Sequence, residues 1–188
     1  AIIIVACSLA LIAAASASAL AAKKGGVSMP NKVSVGDKEL VLNGLGVREA
    51  TVFDVDVYVA GLYLEAKTRT ASDIINSDDK AKRLVMQFVR DVDAGDMHTA
   101  FDDGFKKNAG GKLGALKARV AKLKAMVPNV KEGNKITLTY VPGMGTEVRF
   151  GSKVKGTIEG ADFASVLFAI WLGPSPPNKG LRTGLLGG

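Results

Sequence analysis

Cysteine and histidine are nearly missing from this chain, which has one of each among its 188 residues, Cys7 and His98. A lone Cys closes no intrachain disulfide. A lone His with no Cys beside it supplies neither a tetrahedral zinc site nor the base of a Ser-His or Cys-His nucleophile. No metal and no cofactor are therefore expected. Charge is also absent from residues 1–22, so that all 25 Lys and Arg and all 18 Asp and Glu follow, for a net charge of +7. Internal repeats are lacking as well. What remains, with 47% hydrophobic and 23% charged residues, is the composition of one globular domain able to bury a core.

The uncharged stretch opens with Ile2-Ile3-Ile4-Val5 and continues through Leu9, Leu11 and Ile12 into an Ala/Ser-rich segment. Its small-x-small triplets, Ala17-Ser18-Ala19 and Ala19-Leu20-Ala21, precede Lys23-Lys24. That pattern is a signal peptide over residues 1–22, cut between about Leu20 and Lys23, which would release a periplasmic or secreted domain. Two other readings stay open. The stretch is about long enough to remain as a membrane anchor, and Ile4-Val5-Ala6-Cys7 loosely matches a lipoprotein box. The apolar run continuing past Cys7 counts against the box. A chain opening at Ala1 with no Met and no basic residue is also expected to lack a few residues upstream.

After the signal, residues 23–32 carry Gly, Lys and Ser and read as a mobile lead-in to a domain over residues 33–188. Residues 33–43 read as a strand pair broken at Gly36-Asp37, and residues 47–53 and 55–64 as two long strands. Thr70-x-x-Asp73 before Ile74-Ile75 has the spacing of a capping box opening a short helix. Leu84, Met86 and Phe88 alternate in a half-buried strand over residues 83–89. Met97, Phe101 and Phe105, then Leu113, Leu116, Val120 and Leu123, recur every three or four residues and predict two amphipathic helices parted by Gly110-Gly111. Strands over residues 135–141, 146–150 and 153–158 and a helix over 162–172 complete the order. Strands, helices, strands and a helix point to an α+β fold, a mostly antiparallel sheet with helices on one face.

Lys106, Lys107, Lys112, Lys117, Arg119, Lys122, Lys124 and Lys131 make the middle of the chain basic. Nucleic-acid binding would want exposed aromatics among them, but Phe101 and Phe105 lie on the apolar stripe, so a solvated helix face is the expectation and no nucleic-acid partner. Weak, salt-sensitive contact with an anionic membrane surface stays open. The adjacent pairs Asp78-Asp79 and Asp102-Asp103 point to different helix faces and form no carboxylate dyad. Gly143-x-Gly145 is a turn without the strand-to-helix setting of a phosphate loop.

One constellation stands apart. If the hairpin joining the two long strands turns at Phe53, Arg48 lies opposite Tyr58, on one sheet face with Cβ atoms about 5 Å apart. A guanidinium beside a phenol is a compact donor set for a carboxylate. The alternative is an Arg satisfied by an Asp or by backbone carbonyls, with Tyr58 packed on its stem.

Gly44-Leu45-Gly46-Val47-Arg48 with Val57-Tyr58-Val59-Ala60-Gly61-Leu62-Tyr63-Leu64 resembles the opening strands of the chalcone isomerase family, especially its bacterial chalcone-isomerase-like branch. Phe168-Ala169-Ile170-Trp171-Leu172-Gly173, Pro177 and Leu185-Leu186-Gly187 resemble that branch's closing helix and tail. The resemblance implies an open-faced sandwich, a large antiparallel sheet with a helical layer and a ligand cleft between them. It places Arg48 where the plant isomerases hold the anionic substrate oxygen and Tyr58 where they carry a Thr. Phe101 and Asn108 have the spacing of their helical Tyr and Asn, and Ala164 falls where they carry a Ser or Thr. With Phe101 lacking a hydroxyl, catalysis by an intramolecular lyase of this type would rest on Arg48 with little help in proton transfer. The family's non-catalytic fatty-acid-binding members pair an Arg with a Tyr, as Arg48 and Tyr58 would here. The resemblance thus implies a binder of a fatty acid or similar small acidic apolar ligand, with Arg48, Tyr58, Asn108 and Phe101 as its site. An isomerase and a structural or protein-partner module are the alternatives.

Overall fold

The computed structural model describes residues 21–50 and 55–188. The signal-peptide expectation over residues 1–22 lies outside them but for Ala21 and Ala22, and so does the turn at Phe53. The chain follows the order β1 (Ala21–Lys24), β2 (Val27–Pro30), β3 (Lys32–Val35), β4 (Lys38–Ala50), β5 (Val55–Leu64), α1 (Ala71–Asn76), β6 (Lys82–Phe88), α2 (Ala94–Asn108) and α3 (Leu113–Ala125). Strands β7 (Lys135–Val141), β8 (Gly145–Phe150) and β9 (Lys153–Ile158) and helices α4 (Ala161–Leu172) and α5 (Lys179–Leu185) follow. Among the described residues, β3 to β9 form one antiparallel sheet in which every strand pairs with its sequence neighbours. The fold is α+β, as the alternation of periods required.

The sheet's two faces take different covers, because successive strand residues point to opposite sides. Tyr58, Ala60, Leu62 and Leu64 of β5 and Leu84, Met86 and Phe88 of β6 pack beneath the helices. Helix α4 is buried along most of its length, from Phe163 to Leu172, because it lies between the sheet and neighbouring helices. Gly104 lets α2 close on α4, since a Cβ there would stand 2.8 Å from an Ile170 methyl. Leu113, assigned to the apolar stripe, is instead exposed at the start of α3, just after the 3-10 turn Gly110–Lys112.

Residues 23–32 are not a mobile lead-in. β1 and β2 form a hairpin whose Val27 and Met29 are buried against Leu40, Leu42, Leu45, Val59 and Tyr63 on the sheet face away from the helices. Two alternating apolar residues are too few to show a period, yet they fit a place made for them: a Cβ on Gly61 would stand 2.5 Å from the Met29 sulfur.

The closing tail also holds structure. Helix α5 buries Leu181 and Leu185, one turn apart, and lies directly on β4. Added Cβ atoms at Gly44 and Gly46 would stand 2.1 Å from the Gly184 carbonyl oxygen and 2.3 Å from that of Leu181. Close approach of helix backbone to strand backbone is thus the reason for the Gly-x-Gly spacing. A bulge between Leu42 and Gly44 leaves Asn43 outside the pairing, and its amide donates to the Leu185 carbonyl (2.8 Å) while its oxygen accepts from Thr68 N–H (2.9 Å). Helix α1 starts after Thr70 as the capping box required, although the Thr70 side chain makes no cap hydrogen bond.

Candidate functional site

β4 and β5 bring Arg48 opposite Tyr58, and a bulge between Arg48 and Glu49 then shifts the register as the strands leave the sheet. Tyr58 is 7% exposed, with its ring edge-on to Phe88 at 5.4 Å. Arg48 is half-buried, and its Nη1 donates to the Glu49 carbonyl. A guanidinium has five N–H donors, so this backbone contact occupies only part of the fork of Arg48, which lines the neighbouring space.

That space is a cleft of about 680 Å³ between the sheet, α2 and the end of α4, within the roughly 300–1,000 Å³ of small-ligand pockets. Tyr58, Met86, Met97, Phe101, Ile170 and Trp171 line its interior, all of them buried. Trp171 stands edge-on to Phe101, with ring centres 6.4 Å apart, and its indole Nε1–H donates to the Tyr58 hydroxyl oxygen at 2.9 Å. Burial pushes the Tyr58 phenol up to about 12, against the opposing effects of that hydrogen bond and of the Arg48 charge. At neutral pH Tyr58 is therefore a neutral hydroxyl that can donate, and not a base.

The mouth is wetter than the interior. Arg90, Asp91, Asp93, Asp96, Asp103 and Lys107 line it and are exposed. Asp91 is already committed to Lys131 (2.7 Å) and to the Glu132 N–H (3.0 Å), and these bonds hold its carboxyl below its ordinary range. The arrangement offers an anion donors from Arg48 and Tyr58, and an apolar tail the walls of α2 and α4.

Residues 21–187 match the model of a family described as chalcone isomerase-like. The chain belongs to the chalcone isomerase-like family. Its structure is similar to that of a fatty-acid binding protein of Arabidopsis thaliana, with a TM-score of 0.66 and 19% identity over 89% of this chain and 96% of that one. At this identity the likeness shows the fold. No curated protein matches the sequence.

Within this chalcone isomerase-like domain, three of the four expected ligand residues, Arg48, Tyr58 and Phe101, meet at the cleft. Asn108 lies outside its lining. Its amide donates to the Gly104 carbonyl (2.9 Å) and to that of Ser175 (3.3 Å), tying α2 to the segment after α4, while its Oδ1 is buried without a partner among the described residues. Ala164 is buried in the core of α4, away from the cleft. His98 sits in the second turn of α2, its Nε2 3.2 Å from the Val127 carbonyl. No group of His, Cys, Asp and Glu among the described residues could hold a metal, and no helix among them is long and apolar enough to cross a membrane.

Trp171 is the residue the sequence reading passed over. A signal existed, because a Trp inside an otherwise wholly apolar helix must find an acceptor for its N–H when buried. The acceptor lies 113 residues earlier, at a place that spacing does not reveal.

Proposed function

We propose that this protein is an exported, non-catalytic binder of a fatty acid or similar small acidic apolar molecule. Arg48 and Tyr58 take the carboxylate, and the chain lies against Met86, Met97, Phe101 and Ile170. The observation that carries the reading is the shared position of Arg48 and Tyr58 at one cleft, where both present donors and the buried phenol stays protonated. The fold shared with a fatty-acid binding protein supports it. Export rests on the uncharged segment ahead of Lys23. Lys106, Lys107, Lys112 and Lys117, which make no ion pair among the described residues, leave room for weak contact with anionic lipid, whereas Lys124, Arg119 and Lys131 are held by Asp102, Asp162 and Asp91.

An isomerase would need a group to carry the enolate proton. Phe101 has none, and Tyr58 holds its proton too tightly to act as a base at neutral pH. Organic extraction of gently purified protein followed by mass spectrometry tests the proposal, with a co-purifying fatty acid as the expected result. An empty cleft that also refuses added fatty acid in calorimetry defeats it. Cyclisation of naringenin chalcone above its spontaneous rate, with the excess lost in Arg48→Ala, would establish the isomerase instead.

A further inference from the structure

The indole N–H of Trp171 is a donor with no acceptor capacity, and at 2.9 Å it occupies the oxygen of Tyr58. Both groups are buried, at 3% and 7% exposure, which limits competition from water for that bond. The phenol's own proton is then turned away from the indole, and among the described residues it has no acceptor. Arg48, opposite Tyr58 on the same cleft, can only donate by its chemistry. The two groups at the head of the cleft therefore present mainly hydrogens, and the one oxygen among them already accepts from the indole.

We infer that Trp171 is a specificity-determining positioning residue, which biases Tyr58 toward donating and so tunes the cleft to head groups that accept, an ionised carboxylate above all. The inference rests on the binding reading above and sharpens it. A fatty alcohol of the same chain length fills the same apolar walls but brings a hydroxyl proton. Arg48 cannot take that proton, and the Tyr58 oxygen, already accepting from the indole, is a poorer acceptor for it. A carboxylate, in contrast, accepts from both groups, and by drawing on the Tyr58 proton it enriches the phenol oxygen and strengthens the indole bond behind it. Trp171 to Tyr58 to carboxylate is a chain of hydrogen bonds all pointing the same way.

Calorimetric titration with decanoate and decan-1-ol measures the discrimination directly, in the full-length chain and in Trp171→Phe, Tyr58→Phe and the double variant. Wild type should prefer decanoate, and Trp171→Phe should reduce the decanoate-to-decanol affinity ratio about five- to tenfold, because the freed Tyr58 oxygen can then accept from the alcohol. In the Tyr58→Phe background the further loss of Trp171 should leave the ratio unchanged, which a merely structural role of Trp171 would not produce. The chain has a single Trp, so its indole N–H gives one resonance that needs no variant to be read. Decanoate should move that resonance downfield, decan-1-ol should not, and Tyr58→Phe should bring it to the position of an unbonded indole. Decanoate binding that Arg48→Ala weakens, combined with an unchanged ratio in Trp171→Phe or an indole resonance indifferent to decanoate, overturns this inference alone. Failure of wild type to bind decanoate overturns the carboxylate site as well.

Discussion

The same two strands, β4 and β5, behave in opposite ways at their two ends. Near Gly44 the pair is closed: helix α5 rests on the strand backbone, Asn43 bonds to the tail, and Lys82, paired with Leu64, is buried under α1. Near Arg48 the pair is open, with a bulge, a half-buried guanidinium and a cleft. The difference shows how one hairpin can serve as both scaffold and site. Backbone-to-backbone contact leaves the closed end no room to adjust, and that rigidity holds the Arg48–Tyr58 pair in register at the other end.

The largest effect should come from the closed end. Gly46→Ala places a methyl 2.3 Å from the Leu181 carbonyl oxygen, and neither backbone can retreat without disturbing the sheet. A loss of about 3 kcal/mol or more is expected in chemical denaturation. A loss below about 1 kcal/mol would mean that the two ends are equally compliant.

Lys82 is the second test of the closed end. Its ammonium, 1% exposed, donates to the carbonyls of Ile74 (2.6 Å) and Ser77 (2.9 Å) at the end of α1, and lies near the rings of Tyr140 and Phe168. Lys82→Met orphans those carbonyls and should cost about 2–3 kcal/mol near pH 7. The pH dependence has a definite sign. Burial lowers the ammonium to about 8 from 10.5, against the pull of Asp78 and Asp79, so between those values the unfolded chain holds a proton that the folded chain has released. Folding stability therefore rises with pH through this window, and the gain is lost as pH falls through about 8. Wild type compared with Lys82→Met from pH 7 to 10 should show the rise in wild type alone. Above pH 10 the opposite effect of Tyr58 and Tyr63, both raised to about 12, intrudes.

At the open end the loss of Arg48 should fall on affinity and spare stability. Arg48→Ala should weaken fatty-acid binding by about 1.5–3 kcal/mol, the scale of a hydrogen bond to a charged group, because a half-buried guanidinium carries less than a fully desolvated one. Its thermal stability should stay within about 0.5 kcal/mol of wild type. Unchanged affinity would leave the Glu49 carbonyl as the whole reason for this Arg. The smallest effect belongs to Tyr58→Phe, about 1–2 kcal/mol of affinity. The double variant should lose less than the sum of the two single losses, since both donors address one carboxylate. Strict additivity in calorimetry would mean that they bind separate groups.

What could be read in advance followed from periodicity. Leu84, Met86 and Phe88 alternate and form β6, and Met97, Phe101 and Phe105 recur at helical spacing and form α2. The facing of Arg48 and Tyr58 followed from the length of one hairpin, because register between adjacent strands is a local matter. Short elements were not legible in this way. The β1–β2 hairpin offers two buried residues beside Gly25-Gly26, and α5 is a seven-residue helix containing two glycines, so local propensity favours neither and both exist because of what they pack on.

The sequence by itself determined the elements whose apolar residues recur at a regular spacing, and the one Arg opposite one Tyr. These depend on neighbours along the chain or across a single turn, where spacing is information. Only the tertiary structure decided that Asn108 ties α2 to Ser175 and does not line the cleft, that Gly44 and Gly46 are the seat of a distant helix, and that Trp171 holds the oxygen of Tyr58. Each of those outcomes joins segments more than 60 residues apart. At such separations the contact is set by how whole layers stack, and no local pattern encodes it.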